Sequence, residues 1–113
     1  MRQRRPREKD EAHLTWLRQL PCLVCGKQDV EAAHVRFAAR EWGKRETGKG
    51  ERPSDYWAVP LCSTHHRNQH GEGERLWWGA IGLDPVPIAS ALHHATGDDE
   101  MGLAICEAAR RRR

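Results

Sequence analysis

The sequence contains few aromatic and few apolar residues. It has one phenylalanine and one tyrosine, with 6% aromatic and 38% hydrophobic residues in total, and its mean hydropathy is -0.84. No apolar run approaches the roughly 18 residues of a membrane span, so we expect no membrane partner. A core this poor in apolar side chains often needs a disulfide or a bound metal for stability.

We expect no secretory leader either. The first seven residues, MRQRRPR, are too polar for a signal peptide, which predicts a cytoplasmic protein. In a reducing compartment, four cysteines indicate metal ligands before disulfides. The length of 113 residues predicts a single folded domain.

Positive charge is concentrated in three segments, although the net charge is only +3. Residues 1–9 carry five basic groups against one acidic group, residues 36–52 carry six against three, and residues 110–113 are four arginines. Segments of this kind suit contacts with phosphate groups, which are blind to base sequence and sensitive to salt. For the two tails alone, a merely solvated chain is an equally good interpretation.

Hydrophobic periodicity and turn residues predict an α+β domain with a strand–loop–strand–helix centre and helical flanks. We expect a basic tail at 1–9, a main domain at 10–97, and a C-terminal helix with an arginine-rich tail at 98–113. The predicted helices cover residues 10–20, 63–71, 74–80, 84–97 and 99–110. The predicted strands cover 30–35 and 56–61, with Pro60 at a sheet edge or strand end. A long loop at 36–54 separates them, and such loops are typically functional or disordered.

Two pairs of potential metal ligands have the same spacing. Cys22-x2-Cys25 and Cys62-x2-His65 each allow one chain turn to direct two donors at a single ion. Together they predict a closed, tetrahedral, structural zinc site. The alternative is four unrelated buried residues, and His65 is the least certain ligand because His66 stands beside it.

A second group of histidines predicts a catalytic centre. His66 and His70 are four residues apart, so their imidazoles leave one face of the helix and can bind one ion. If the strands pair and the helix packs on them, His34 faces that pair. A neutral imidazole, with a reference pKa of about 6.5, can take a proton from water. The alternatives are an ordinary exposed histidine pair and a hydrogen-bonded core histidine.

These segments resemble the HNH (ββα-metal) nuclease superfamily, and more narrowly its phage branch of recombination-enhancement (Ref-like) and prophage nucleases. The resemblance covers roughly residues 12–95 and is carried by Cys22-x2-Cys25-Gly26, Ala33-His34-Val35-Arg36, the Lys/Gly-rich loop, Pro53-Ser54-Asp55 and Val59-Pro60-Leu61-Cys62-x2-His65-His66-x3-His70. It implies a ββα-metal fold and cleavage of DNA. It also implies a structural Zn²⁺ at Cys22, Cys25, Cys62 and His65, His34 as general base, and His66 and His70 as ligands of a catalytic metal.

The sequence departs from the HNH pattern at two positions. Many HNH enzymes carry an Asp or His ligand directly before the base, where this chain has Ala33. The middle Asn of the pattern has no counterpart, and Asp55 is the candidate substitute, either orienting His34 or contributing an oxygen ligand. The alternative for Asp55 is an ordinary turn residue.

The predicted function is therefore a metal-dependent DNA endonuclease. Two histidine ligands favour Mn²⁺, Zn²⁺ or Ni²⁺, with Mg²⁺ also open. A homodimer, a recombinase or another phage protein remain open as partners. The predicted DNA contacts are Arg36, Lys44, Arg45, Lys49 and Arg67, with Trp42 the likeliest aromatic contact.

Two alternatives use the same residues. A non-catalytic, zinc-stabilised DNA-binding module, a degenerate HNH domain, is favoured by Ala33. An adaptor protein with two structural metals would instead have no salt-dependent affinity for DNA. Several other residues are predicted to be structural: Trp77, Trp78, Cys106, His13, His93 and His94.

Overall fold

The computed structural model describes residues 9–71 and 73–112. This part of the chain forms a small α+β domain with a two-stranded sheet, five α-helices and one 3-10 helix. In chain order the elements are α1 (Glu11–Leu17), β1 (Val30–His34), the 3-10 helix (Arg40–Trp42), β2 (Ala58–Cys62), α2 (Ser63–Gly71), α3 (Glu74–Ile81), α4 (Pro85–His94) and α5 (Asp99–Arg112). The predicted α+β class and the strand–loop–strand–helix order are confirmed. The basic residues 1–8 lie outside the described chain.

The two strands are antiparallel, and their register places the start of β1 next to the end of β2. Val30 pairs with Cys62, and His34 pairs with Ala58. Pro60 pairs with Ala32 at the centre of β2 rather than at its end. A strand of a two-stranded sheet has one open edge, which is where a proline without an N–H is tolerated. The register places the second ligand pair beside the start of β1.

The segment between the strands is more ordered than the sequence predicts. The 3-10 helix and an isolated bridge between Ala39 and Lys44 lie within the predicted loop at 36–54. The second strand begins at Ala58, because Trp57 still belongs to a turn in which its N–H donates to the carbonyl of Ser54. The prediction of a strand from residue 56 was therefore wrong at its start.

The helix ends follow local chemistry that the sequence carries. Asp10 caps α1 through its side chain, which accepts from the backbone N–H of His13 at 3.1 Å. Asp84 caps α4 in the same way, with Pro85 in the first turn. Trp77 and Trp78 are buried in the core, as predicted. No helix in the described ranges is long and apolar enough to cross a membrane.

Helix α5 packs against the rest of the domain. Trp16 Nε1 donates to Asp99 Oδ1 at 2.8 Å, and Gly102 lies directly against the Trp16 ring. Arg110 donates to the carbonyl of Cys22 at 3.4 Å. The helix continues through Arg112, two residues beyond the predicted helix end at residue 110. Cys106 is fully buried, as predicted.

Candidate metal centre and histidine cluster

Four side chains converge where the turn at residues 22–25 meets the end of β2. Cys22, Cys25, Cys62 and His65 each offer one ligand atom, and these atoms all lie within 4.8 Å of one another. The Cys25 and Cys62 sulfurs are 3.8 Å apart. His65 Nδ1 lies 3.7 Å from Cys22 Sγ and 3.2 Å from Cys62 Sγ. The cluster can therefore hold a metal ion such as zinc.

The distances fit a tetrahedral ion. Zinc bonds of about 2.0–2.3 Å to nitrogen and sulfur imply edges of roughly 3.5–3.8 Å between neighbouring ligands. The three distances given above lie at or near this range. Four protein ligands complete the coordination and leave no position for a substrate, so the donor set fits a structural metal.

The turn that carries Cys22 and Cys25 is shaped for thiolate ligands. The Val24 N–H donates to Cys22 Sγ at 3.4 Å, and the Gly26 N–H donates to the Cys22 carbonyl at 3.0 Å. Gly26 has a positive φ of 80°, which a residue with a side chain rarely adopts. Burial raises the pKa of the Cys22 thiol, but hydrogen bonds from the Cys62, Cys25 and Val24 backbones outweigh it and lower that pKa.

His34 lies at the end of β1 and is held by Asp55. His34 Nε2 and Asp55 Oδ1 are 2.8 Å apart, and the side chains are 25% and 11% exposed. The second oxygen of Asp55 accepts from the backbone N–H of Asp10 at 2.8 Å. Since an ionised carboxylate only accepts, the proton between the two side chains belongs to His34 Nε2. In the neutral form of the ring, the other nitrogen, Nδ1, carries a lone pair. Asp55 was predicted either to orient His34 or to contribute an oxygen ligand. Its hydrogen bond with His34 favours the first of these roles.

His66 and His70 lie side by side on α2, with ring centroids 4.9 Å apart. His66 Nδ1 lies 2.7 Å from the Glu31 carboxylate. A donated Nδ1 proton leaves Nε2 as the atom of His66 that can bind a metal. Burial, His66 and Arg36 together lower the pKa of His70, which favours the neutral imidazole that a metal needs.

Helix α2 packs against β1. Near its start, His66 contacts Glu31. Near its end, Gln69 Nε2 donates to Glu74, whose carboxylate also accepts the backbone N–H of Arg36. His34 lies on β1 between these two points of contact. Within residues 9–71 and 73–112, however, three or more ligand atoms meet within 4.8 Å only at the Cys3His cluster, so His34, His66 and His70 form no such compact set.

The comparisons with known proteins bear on most of the chain. Residues 1–97 match the family described as "Protein of unknown function (DUF968)". The chain belongs to the DUF968 family. No curated protein and no solved structure matches it. The DUF968 match includes the Cys3His cluster, His34, Asp55 and the α2 histidines, whereas α5 follows it.

Of the basic residues that the sequence singles out in this DUF968 member, Lys44 requires a correction. It is 2% exposed, and its ammonium donates to the carbonyls of Phe37 and Arg45. Burial lowers its pKa to about 8. Lys44 therefore fixes the loop from inside and does not present its charge to DNA.

The other four basic residues lie nearer to solvent. Arg45 forms an ion pair with Glu51, and Arg36 donates to carbonyls of the same loop. Lys49 and Arg67 are exposed, as is Trp42 at 42%. Glu31 and Asp10 were not predicted as site residues, because their partners are 35 and 45 residues away along the chain.

Proposed function

We propose that this protein is a metal-dependent DNA endonuclease of the HNH (ββα-metal) type, with a structural zinc at the Cys3His cluster. The observation that carries the proposal is the path of α2 along β1, with His34 between the contacts at Glu31 and Arg36. This arrangement has the elements, in the same order, that the HNH resemblance implies. The proposal requires His34 and the α2 histidines to border one surface.

The structural zinc would connect the turn at residues 22–25 to the start of α2. Cys22 and Cys25 come before β1, whereas Cys62 and His65 span the junction between β2 and α2. An ion held by all four fixes the N-terminal end of α2 against the sheet. His66 follows His65 directly, so the zinc also sets the position of the first candidate ligand of the second metal.

His34 is the proposed general base. Its Nδ1 has no hydrogen-bond partner among residues 9–71 and 73–112, and Asp55 holds the Nε2 proton. A water oxygen attacks the scissile phosphorus while Nδ1 takes the water's proton. The bond from phosphorus to the 3′ oxygen breaks, and that oxygen takes a proton from solvent. Asp55 stabilises the imidazolium that forms without itself being protonated.

His66 and His70 are the proposed ligands of the catalytic metal. Two neutral imidazoles on one helix face fit a divalent ion such as Mn²⁺, Ni²⁺, Zn²⁺ or Mg²⁺. A bound ion supplies charge stabilisation at the phosphate and at the departing oxygen. Ala33 is fully buried and offers no third ligand, so water and substrate oxygens would have to complete the coordination of a bound ion.

DNA binding in this proposal relies on the phosphate backbone. Arg36, Arg45, Lys49 and Arg67 supply positive charge, and exposed Trp42 offers a stacking surface. The affinity for DNA is then expected to fall steeply with salt concentration. Lys44 plays no part in this surface.

The deciding experiment is cleavage of supercoiled plasmid by the zinc-loaded protein with each of Mg²⁺, Mn²⁺, Ni²⁺ and added Zn²⁺. We expect nicking that depends on the added ion and is absent in the His34→Ala variant, whose zinc content and circular dichroism remain native. His94→Ala, an exposed histidine on α4, is the matched control and keeps native activity. Native activity in His34→Ala contradicts the proposal. DNA binding without nicking by the native protein instead supports the non-catalytic module that Ala33 favours.

A further inference from the structure

A polar network extends from Asp55 away from the α2 histidines and into the junction of α1 and α4. It comprises Asp55, Asp10 and His93, which belong to the loop before β2, the cap of α1 and the last turn of α4. From the sequence, His93 is predicted to be structural, and Asp10 is predicted only to begin α1. None of the steps proposed above uses either residue.

Both oxygens of Asp55 accept hydrogen bonds from described residues. Oδ1 accepts from His34 Nε2, and Oδ2 accepts from the backbone N–H of Asp10, both at 2.8 Å. A carboxylate bound at both oxygens has little freedom to rotate, and Asp55 is only 8% exposed. The position of the Asp10 backbone therefore sets the plane of the Asp55 carboxylate, and that plane sets the direction of the His34 ring.

The Asp10 backbone is in turn fixed by its own side chain. Oδ1 accepts from the His13 N–H at 3.1 Å and caps α1, whereas Oδ2 lies 3.2 Å from His93 Nε2. One carboxylate thus joins the start of α1 to the end of α4. Without the His93 contact, Asp10 would keep its cap but lose its tie to α4.

His93 is itself held by packing. Its ring centroid lies 4.3 Å from that of Tyr56 and 4.7 Å from that of His13, which is fully buried. The ring direction that aims Nε2 at Asp10 is therefore imposed by its neighbours. The polar network therefore extends from α4 through the α1 cap to β1, where it ends at His34, the proposed base.

We propose that Asp10 and His93 are positioning residues for His34, acting through Asp55 to keep the His34 ring in the orientation and tautomer of a general base. This inference rests on the proposed function, because that function makes His34 the base. Neither residue touches the substrate. Their loss is expected to lower kcat and to leave KM almost unchanged, since ground-state binding of DNA lies elsewhere.

The test compares His93→Ala with His93→Gln and with His94→Ala, using the full zinc-loaded chain. His93→Ala is expected to lower kcat for plasmid nicking by roughly 10- to 100-fold, the scale of a small misplacement of a catalytic group. His93→Gln can still donate to Asp10 from an amide nitrogen, and we expect it to recover most of that loss. His94→Ala keeps native kcat. Asp10→Asn retains the α1 cap and is expected to fall between the two His93 variants.

A double-mutant cycle separates positioning from general destabilisation. In an Asp55→Ala background, the further change His93→Ala is expected to leave kcat unaltered, because the polar network no longer reaches His34. A merely structural role would lower kcat by the same factor in both backgrounds, and that result would overturn the inference. ¹⁵N chemical shifts of the imidazole give a readout that needs no activity. The native protein is expected to show His34 protonated at Nε2, and His93→Ala a mixture of tautomers.

The two proposals fail in different ways. If His34→Ala nicks DNA at the native rate, the proposed function fails and this inference fails with it. If His34→Ala is inactive while His93→Ala keeps native kcat and a native His34 tautomer, only the inference fails.

Discussion

His34 Nε2 lies 2.8 Å from Asp55 Oδ1, while the backbone N–H of Asp10 occupies the other oxygen of the same carboxylate. Substituting Asp55→Asn tests this pairing. The amide oxygen must face the Asp10 N–H, which leaves the amide NH2 facing His34. A donor at that place moves the histidine proton to Nδ1, the proposed basic atom. We expect kcat for DNA nicking to fall by about 10⁴-fold with little change in zinc content. Nicking kinetics and metal analysis measure the two quantities.

A native rate in Asp55→Asn would contradict the role assigned to the pairing. Asp98→Asn serves as a control, because this exposed carboxylate lies just before α5 and, among residues 9–71 and 73–112, accepts only the Met101 N–H. It is expected to leave kcat unchanged.

The second prediction concerns the Cys3His cluster. Cys25→Ser removes one ligand from an exposed position, so little packing is lost with it. We expect the native protein to carry one tightly bound zinc and the variant to lose it. Its melting temperature should fall too, because a structural ion contributes its binding free energy to folding. Elemental analysis and thermal denaturation measure the two effects.

Cys106→Ala is the matched control for this experiment. Cys106 is buried, so the variant loses some stability, but it lies outside the cluster and should retain one zinc per chain. Equal zinc content in Cys25→Ser and the native protein would refute the proposed site.

Glu31 is predicted to support the second metal. Its carboxylate lies 2.7 Å from His66 Nδ1, so Glu31→Ala removes the group that fixes the His66 ring. Loss of such a partner typically weakens metal affinity by about 10- to 100-fold. Titration calorimetry with Mn²⁺ or Ni²⁺ on the zinc-loaded protein gives the affinity. Glu100→Ala, at an exposed position on α5, should bind the ion as the native protein does. Unchanged affinity in Glu31→Ala would show that His66 needs no such support.

His13 is predicted to make the fold sensitive to acid. It is fully buried, and desolvation, with a further contribution from His93, lowers its pKa from 6.5 to about 4. Its neutral form therefore stabilises the fold fully above pH 6.5, and this contribution is lost as the pH falls from 6.5 towards 4. The full loss is about 3 kcal/mol, at 1.36 kcal/mol for each pKa unit.

The test is the free energy of unfolding of His13→Phe and native protein at pH 7 and pH 4.5. The phenyl ring fills a similar volume and does not titrate, so the variant should lose about 2 kcal/mol less between the two pH values. His94→Ala should follow the native curve. Identical pH dependence in His13→Phe and the native protein would contradict the assignment.

The packing of α5 on α1 gives the last prediction. A Cβ at Gly102 would lie 2.7 Å from Trp16 Cζ2 and 3.0 Å from Leu20 Cδ2. The Trp16 ring has little room to yield, because its Nε1 is hydrogen-bonded to Asp99. We expect Gly102→Ala to lower the free energy of unfolding by about 1–2 kcal/mol, since overpacking outweighs the gain in helix propensity.

Gly79→Ala on α3 is the matched control, and we expect it to raise the free energy of unfolding. Urea denaturation measures both variants. No atom lies within 4 Å of a Cβ built there, so only the propensity gain of about 0.5–1 kcal/mol remains. Stabilisation of both variants would show that α5 does not pack on Trp16 as described.

The sequence by itself determined the features that depend on neighbouring residues. The two-residue spacing of Cys22 and Cys25, and of Cys62 and His65, identified the four potential ligands that the fold brings together. Asp10 and Asp84 marked helix starts because an N-cap acts within its own turn.

Only the tertiary structure decided which polar side chains meet across the domain. Lys44 looked like a solvated charge in a basic loop, yet the folded loop encloses it against two carbonyls. The carboxylate partner of His66 lies 35 residues away in sequence. For Asp55, the resemblance had left two roles open, and the fold brings its carboxylate within hydrogen-bond distance of His34. Such contacts leave no local pattern, because they form only once the strands have paired and the helices have packed on them.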